Sequence, residues 1–93
     1  EWGVAAIVVP RLIYKYYGDA EPESKHYEMM RSYHSFLMKN AKNEILDMGI
    51  GDWFDVGPEP PGPCQLTPTA FTGTAFYFRV TQMMMRISGQ LGK

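Results

Sequence analysis

The chain has 93 residues, of which 45% are hydrophobic and 20% are charged, and its formal net charge is -1. This length fits one domain with a modest core, and the composition is that of a folded chain rather than a disordered one. Nine basic residues, not gathered into a dense stripe, argue against a nucleic-acid partner. The longest apolar run, Val4 to Val9, falls far short of the roughly 20 residues that span a bilayer, so no membrane partner is expected.

The spacing of apolar residues predicts a first helix over residues 3–17. Pro10 lies inside it, and an interior proline removes a backbone hydrogen bond, so one kinked helix is preferred and two shorter pieces remain the alternative. Gly18 is expected to end the helix because glycine adopts the left-handed conformation without strain. The apolar positions that recur at helical spacing are Val4, Ile7, Val8, Leu12 and Tyr16.

Two further helices are predicted, over residues 20–42 and 68–91. Asp19 is a plausible N-cap for the second helix, and Pro22 is acceptable in its first turn. Thr67 and Pro68 form a typical start for the third helix, a hydroxyl cap followed by proline at the first helical position. The expected core positions are Met30, Tyr33, Leu37 and Ala41 on the second helix, and Phe76, Val80, Met84, Ile87 and Leu91 on the third.

Residues 43–67 form a long loop in which glycines alternate with prolines, so neither a helix nor a strand is predicted there. Loops of this length in compact domains are usually functional or disordered, and its Trp53 and Phe54 favour an ordered, functional loop. The third helix is apolar on most sides, so it expects neighbours on most sides. The isolated chain is therefore expected to self-associate through exposed apolar patches.

Few residues carry a pattern typical of chemistry. Asp52 is the preferred ligand-contacting acid among the four of the loop, although aspartate also closes turns. His26 and His34 are separated by eight residues, which is the wrong step for a zinc site on one helix, and one cysteine, Cys64, makes no metal site. No metal and no cofactor is expected. The other loop acids are Asp47, Asp55 and Glu59.

Two tryptophans stand at the ends of predicted elements. Trp53 lies in a Gly-Asp-Trp turn, where it is either a plug over the helix ends or the wall of a pocket. If the helices run up, down and up, the start of the first helix and the loop before the third lie at the same end. Trp2 and Trp53 would then flank one cavity, and indole faces pack well on the apolar face of a sugar ring.

Several short motifs, in their order and spacing, resemble the bacterial α-L-rhamnosidases, glycoside hydrolase family 78. The likeness extends over essentially the whole chain. It is carried by Glu1-Trp2-Gly3-Val4-Ala5-Ala6, Val8-Val9-Pro10, Tyr14, Tyr17-Gly18-Asp19, Tyr27, Met30, Gly49-Ile50-Gly51-Asp52-Trp53, Leu66-Thr67-Pro68 and Leu91-Gly92-Lys93.

The resemblance implies an all-α fold in which residues 1–93 are three consecutive helices of an (α/α)6 barrel, part of a six-hairpin glycosidase catalytic domain. It implies an inverting hydrolase that cleaves terminal α-L-rhamnose from glycosides or polysaccharides, with a rhamnoside as the substrate of the intact protein. Trp2 and Trp53 match positions of pocket aromatics, and Asp52 is a weaker substrate-binding candidate.

The family's acid and base motifs lie outside these residues, so no catalytic residue is assigned and the isolated segment is expected to be inactive. Whether the protein is cytoplasmic, periplasmic or secreted cannot be decided from these residues. The alternative is a self-contained three-helix interaction module without catalysis.

Overall fold

Helices provide the regular structure of the computed structural model, which describes residues 1–93. Extended backbone is paired only in an isolated bridge between Lys42 and Ile45. The predicted all-α class is therefore confirmed. No helix is both long enough and apolar enough to cross a membrane. The helical elements are a 3₁₀ turn, Trp2–Val4, followed by α1, Ala5–Tyr17, α2, Glu21–Lys25, α3, Tyr27–Asn40, and α4, Thr69–Leu91.

The first helix continues through its proline, as predicted. Pro10 lies inside α1 and is buried. Gly18 ends the helix in the left-handed conformation, with φ of 71°, and its N–H donates to the carbonyl of Tyr14 at 2.9 Å. Glycine at this position avoids the cost that a Cβ would add to a left-handed residue.

The predicted single helix over 20–42 is wrong in two respects. It is divided at His26, where φ of -108° and ψ of 15° leave the α conformation. On either side of the break, Glu23 on α2 bonds Arg11 and Gln90, whereas Tyr27 on α3 bonds Ser88. No glycine or proline at the break indicates it in the sequence. The helix also ends at Asn40, because Ala41 is extended. Lys42 instead pairs with Ile45 through N–H···O bonds of 2.8 and 2.9 Å.

The start of the last helix also differs from the prediction. Pro68 is the N-cap and Thr69 the first helical residue, and no side chain caps the end, so Thr67 does not supply the expected hydroxyl cap. Two acids from elsewhere contact side chains of the first turn without capping its backbone: Asp47 accepts a hydrogen bond from the hydroxyl of Thr69, and Glu1 accepts one from the hydroxyl of Thr72. Gly92 ends the helix in the left-handed conformation, as predicted.

The helices run up, down and up, which side-chain contacts establish. Tyr27 Oη lies 2.9 Å from Ser88 Oγ, and His34 Nε2 lies 2.7 Å from Thr81 Oγ1, so α3 and α4 are antiparallel. Glu1 contacts the first turn of α4, whereas Arg11 on α1 contacts Gln90 near the end of α4, so α1 and α4 are parallel.

The assembly is flat rather than round, with principal dimensions of 48 × 30 × 16 Å. A helix with its side chains is about 10–12 Å wide, so the chain is little more than one layer of helices thick. Only 15 of the 93 residues are buried. The layer agrees with helices of a barrel wall and leaves one face of α4 open, the face of Phe71, Phe78 and Met85, which are 63–71% exposed.

The core lies between the three long helices and one residue of the loop, Leu46. Seven of the fourteen expected positions are buried there, and four more are partly buried against them. Leu12, Tyr16 and Phe76 are instead 38%, 68% and 41% exposed. The buried apolar residues are Val4, Ile7, Tyr27, Met30, Leu37, Leu46, Val80, Met83, Met84 and Ile87.

One charged residue is fully buried, at the end of the layer where α1 and α4 finish. The carboxylate of Glu23 accepts from Arg11 Nη1 at 3.1 Å and from Gln90 Nε2 at 2.9 Å. Arg11 Nη1 also donates to Gln90 Oε1 at 3.0 Å. A buried carboxylate requires such partners, and these three side chains join α1, α2 and α4.

Candidate functional site

An open cleft of about 610 Å³ lies at the end of the layer where α1 and α4 begin. Its walls come from three separate parts of the chain: the residues before α1, the long loop, and the first turns of α4. The sequence brings them together because α1 and α4 are parallel, so their starts lie side by side. The lining residues are Glu1, Trp2, Gly51, Asp52, Trp53, Thr67, Phe71, Thr72 and Phe76.

The three residues singled out in the sequence all line this cleft. Trp2 is 75% exposed and Trp53 is 46% exposed, so their indole faces are accessible. Asp52 is also exposed. Phe71 and Phe76 add aromatic surface from α4. The cleft thus combines open aromatic surface with an accessible carboxylate, while a substrate-binding role for these residues stays a prediction.

Glu1 links the three walls of the cleft. One oxygen of its carboxylate, Oε2, accepts from the backbone N–H of Ile50 at 3.2 Å. The other, Oε1, accepts from the hydroxyl of Thr72 at 3.0 Å. Burial, together with the negative charge of Glu1, raises the pKa of the Tyr33 hydroxyl, which lies behind the cleft.

The turn that carries Trp53 depends on glycine at one position in particular. Gly51 is buried, has φ of 73°, and packs so closely on Cys64 that a Cβ would collide with the cysteine side chain. The N–H of Cys64 donates to the carbonyl of Ile50 at 3.0 Å. The neutral interpretation of Cys64 as a structural loop residue agrees with this packing.

The tip of the loop is ordered by hydrogen bonds to Asp55. Its carboxylate accepts from the N–H groups of Gln65, at 3.0 Å, and Leu66, at 3.0 Å. These backbone hydrogen bonds hold the pKa of Asp55 below its ordinary value because they favour the charged form. Gln65 in turn bonds the backbone of Glu59. Asp55 therefore supports the loop.

The remaining candidates from the sequence have structural partners. Asp47 bonds Thr69 at the start of α4. His34 contacts Thr81 and stacks on Tyr77, with ring centroids 5.9 Å apart, and burial lowers its pKa. His26, by contrast, is exposed at the break between α2 and α3.

Sequence reasoning missed three cleft residues that are not aromatic: Glu1, Thr67 and Thr72. The signal for Glu1 was its position directly before Trp2. The signal for Thr72 was the spacing from the predicted helix start, which puts it in the first turn of α4, beside the start of α1.

The structure also gathers basic residues that are scattered in the sequence. A second cleft, of about 500 Å³, lies along α1 and α4 and is lined by Arg11, Lys15, Arg79 and Arg86. Arg79 and Arg86 are seven residues apart, which is about two helical turns, so they share one face of α4. Arg11 is paired with the buried Glu23.

Comparison with known proteins identifies the family. The model of the bacterial alpha-L-rhamnosidase six-hairpin glycosidase domain matches residues 1–93, the entire chain. This chain belongs to that family. The family's helical hairpins agree with the helices described here and with the layer that they form.

Three curated relatives are each named alpha-L-rhamnosidase. The protein of Streptomyces avermitilis is 27% identical over 93 residues, and that of Alteromonas sp. (strain LOR) is 30% identical over 95 residues. These alignments cover 99% and 98% of this chain but only 8% and 10% of the relatives. The protein of Formosa agariphila is 35% identical over 54 residues, which is 57% of this chain and 6% of the relative. No solved structure matches the chain.

Proposed function

We propose that these 93 residues are a segment of a glycoside hydrolase that removes terminal α-L-rhamnose from glycosides or polysaccharides with inversion. Membership of the family and the names of the three relatives support this proposal. The observation that carries the role of the segment is the meeting of Trp2, Asp52 and Trp53, distant in sequence, on one open cleft.

The cleft suits a sugar by its chemistry. A pyranose ring has apolar C–H faces, and indole rings pack against such faces while leaving the hydroxyls free. Asp52 supplies an acceptor for a hydroxyl group. Binding pockets generally combine aromatic surface with a few polar groups that fix orientation, which is the combination found here. In this proposal Trp2 and Trp53 bind the substrate, and Asp52 orients it.

The catalytic carboxylates are proposed to come from other parts of the polypeptide. An inverting glycosidase needs one carboxylic acid to protonate the leaving oxygen and one carboxylate to activate water, on opposite sides of the bond. Glu1 and Asp52 are the acids on this cleft, and both oxygens of Glu1 already accept hydrogen bonds within the chain. The isolated 93 residues are accordingly expected to show no rhamnosidase turnover.

The test uses the full-length protein that contains these residues. Hydrolysis of an aryl α-L-rhamnoside is compared with that of the matching aryl glucoside and glucuronide, and nuclear magnetic resonance follows the first-formed anomer of the sugar. We expect turnover of the rhamnoside with inverted configuration. Preference for the glucuronide or glucoside would contradict the proposed substrate class. Turnover by the isolated chain would contradict the proposal that the catalytic carboxylates come from other parts of the polypeptide.

Replacement of Trp53 tests the role of the cleft. Trp53→Ala is expected to raise KM for the rhamnoside about tenfold or more, which corresponds to about 1.4 kcal/mol or more of binding free energy, with little change in Tm. Phe54→Ala is the matched control, because Phe54 is the next residue, is 62% exposed and does not line the cleft. A fall in Tm without a change in KM would mean that Trp53 packs over the helix ends and does not bind the sugar.

The interaction-module alternative makes an opposite prediction for the isolated chain. A self-contained module would unfold cooperatively as a monomer, whereas a piece of barrel wall with Phe71 and Phe78 exposed is expected to associate. Sedimentation and thermal melting distinguish the two. A monomeric, cooperative fold would favour the module.

A further inference from the structure

We propose that Glu1 is a positioning residue, whose carboxylate holds the Gly51-Asp52-Trp53 turn at a fixed distance from Trp2 and α4. This inference rests on the proposed function, because the turn is taken to be a wall of the sugar pocket. It adds a role for Glu1 that does not require its carboxylate to bind the sugar.

The first step is that the two carboxylate oxygens of Glu1 bond different parts of the chain. Oε2 accepts from the N–H of Ile50, 3.2 Å away, and Oε1 accepts from the hydroxyl of Thr72, 3.0 Å away. Glu1 is itself directly joined to Trp2. One side chain therefore connects the segment before α1, the long loop and the first turn of α4, which are the three walls of the cleft.

The second step is that Ile50 is held through both of its backbone groups. Its N–H is bonded to Glu1, and its carbonyl accepts from the N–H of Cys64 at 3.0 Å. The next residue, Gly51, is buried against Cys64. Removal of the Glu1 carboxylate would release one of these two anchors, immediately before the residues that carry Trp53.

The third step is the close fit around the carboxylate. A Cβ at Gly49 would collide with the carboxylate of Glu1, so the backbone of the loop lies directly against it. The side chain is only partly exposed. A carboxylate that packs against the loop backbone and is bonded through both oxygens is suited to fixing geometry.

Three variants of the full-length protein separate the contributions. Glu1→Ala removes both hydrogen bonds. Thr72→Val removes only the one to α4. Glu1→Gln keeps the shape, and its amide can accept from Ile50 and donate to Thr72, whose hydroxyl can then donate to the carbonyl of Thr69, 3.3 Å away. Glu28→Ala is the control, because Glu28 is an exposed acid paired with Arg31 on α3.

Kinetics with an aryl α-L-rhamnoside give the first measurement. Glu1→Ala is expected to raise KM about tenfold with kcat changed by less than about threefold, Thr72→Val to raise KM less, and Glu1→Gln to stay within about twofold of the wild type. Glu28→Ala should equal the wild type. Loss of kcat in both Glu1 variants would overturn the proposal, because it would place Glu1 in the chemistry.

Hydrogen exchange, followed by mass spectrometry over residues 49–53, gives a measurement that does not depend on activity. Glu1→Ala is expected to speed exchange of the Ile50 amide about tenfold or more, while Glu1→Gln restores protection. Unchanged exchange in Glu1→Ala would overturn the tether even if KM rose. If the wild type fails to hydrolyse rhamnosides, the proposed function fails, and exchange still decides the tether. If Glu1→Ala does not fold, Thr72→Val decides the contact with α4: a KM equal to that of the wild type would overturn it.

Discussion

Two glycines of α4 provide a matched test of how the long loop is seated. Gly73 lies where the backbone of the loop crosses the helix: a Cβ there would collide with the carbonyl oxygen of Leu46 and lie 3.1 Å from that of Met48. Gly89 lies in the same helix with open space around it. Replacing each by alanine gives the same gain in helix propensity, so any difference between the two variants reports the contact with the loop.

The magnitudes separate the two variants clearly. Gly89→Ala is expected to raise the free energy of unfolding by about 0.5–1 kcal/mol, the usual advantage of alanine inside a helix. Gly73→Ala gains the same helix propensity, but its Cβ must displace the loop backbone at Leu46. Overpacking of this kind typically costs about 1–3 kcal/mol. The displacement also endangers the hydrogen bond from Leu46 N–H to Thr74 Oγ1, worth about 1 kcal/mol. The two variants should differ by about 2–4 kcal/mol.

Urea unfolding followed by far-ultraviolet circular dichroism measures this difference in the two alanine variants and the wild type. Equal denaturant slopes would show that the change lies in stability rather than in the unfolded state. If Gly73→Ala proves as stable as Gly89→Ala, the loop does not rest on α4 at this point. The seating of the Trp53 turn would then need another explanation.

Three further predictions concern groups away from the cleft. Burial lowers the pKa of His34, so on acidification the imidazole is protonated in the unfolded chain before it is protonated in the folded one. The free energy of unfolding should therefore fall as the pH drops below about 6.5. His34→Gln should weaken this pH dependence in urea titrations. The pKa of Asp55 is also lowered from its ordinary value of 3.8. The charged carboxylate therefore stabilises the loop fully above pH 3.8, and this stabilisation is lost as the pH falls through the lowered pKa. Asp55→Asn should speed proteolysis of the loop at neutral pH. Glu23→Leu should cost about 3 kcal/mol in urea unfolding by leaving Arg11 unpaired, and adding Arg11→Met should recover part of it.

Local signals in the sequence were sufficient for the helices and their ends. The 3.6-residue spacing located all three long helical segments, and Gly18 and Gly92 marked the ends of α1 and α4 because only glycine adopts a left-handed end without strain. The up, down and up order followed if the third helix turned back after the long loop. That order places Trp2 and Trp53 at the same end of the layer.

Contacts between residues that are distant in sequence could not be predicted from helical spacing or from terminal glycines. The break at His26 has no glycine or proline to mark it, since it depends on where Glu23 and Tyr27 find partners on other helices. Thr67 was a plausible cap by its type, yet no side chain caps α4, and Asp47 and Glu1 bond only the hydroxyls of Thr69 and Thr72 in its first turn. Periodicity also overestimated the burial of Tyr16, because a helical stripe shows which face is apolar but not how far a neighbour extends along it.

Polar contacts at both ends of the pair add to apolar burial in setting how α1 lies along α4. A layer 16 Å thick with 15 buried residues has a small core, and apolar packing alone sets the offset of two parallel helices weakly. Hydrogen bonds are directional, and one set lies at each end: Glu1 with Thr72 at the start, and Arg11 with Gln90 at the finish. The first of these sets is also part of the cleft. A contact that helps to align the two helices, Glu1 with Thr72, is therefore also a contact across the wall of the cleft.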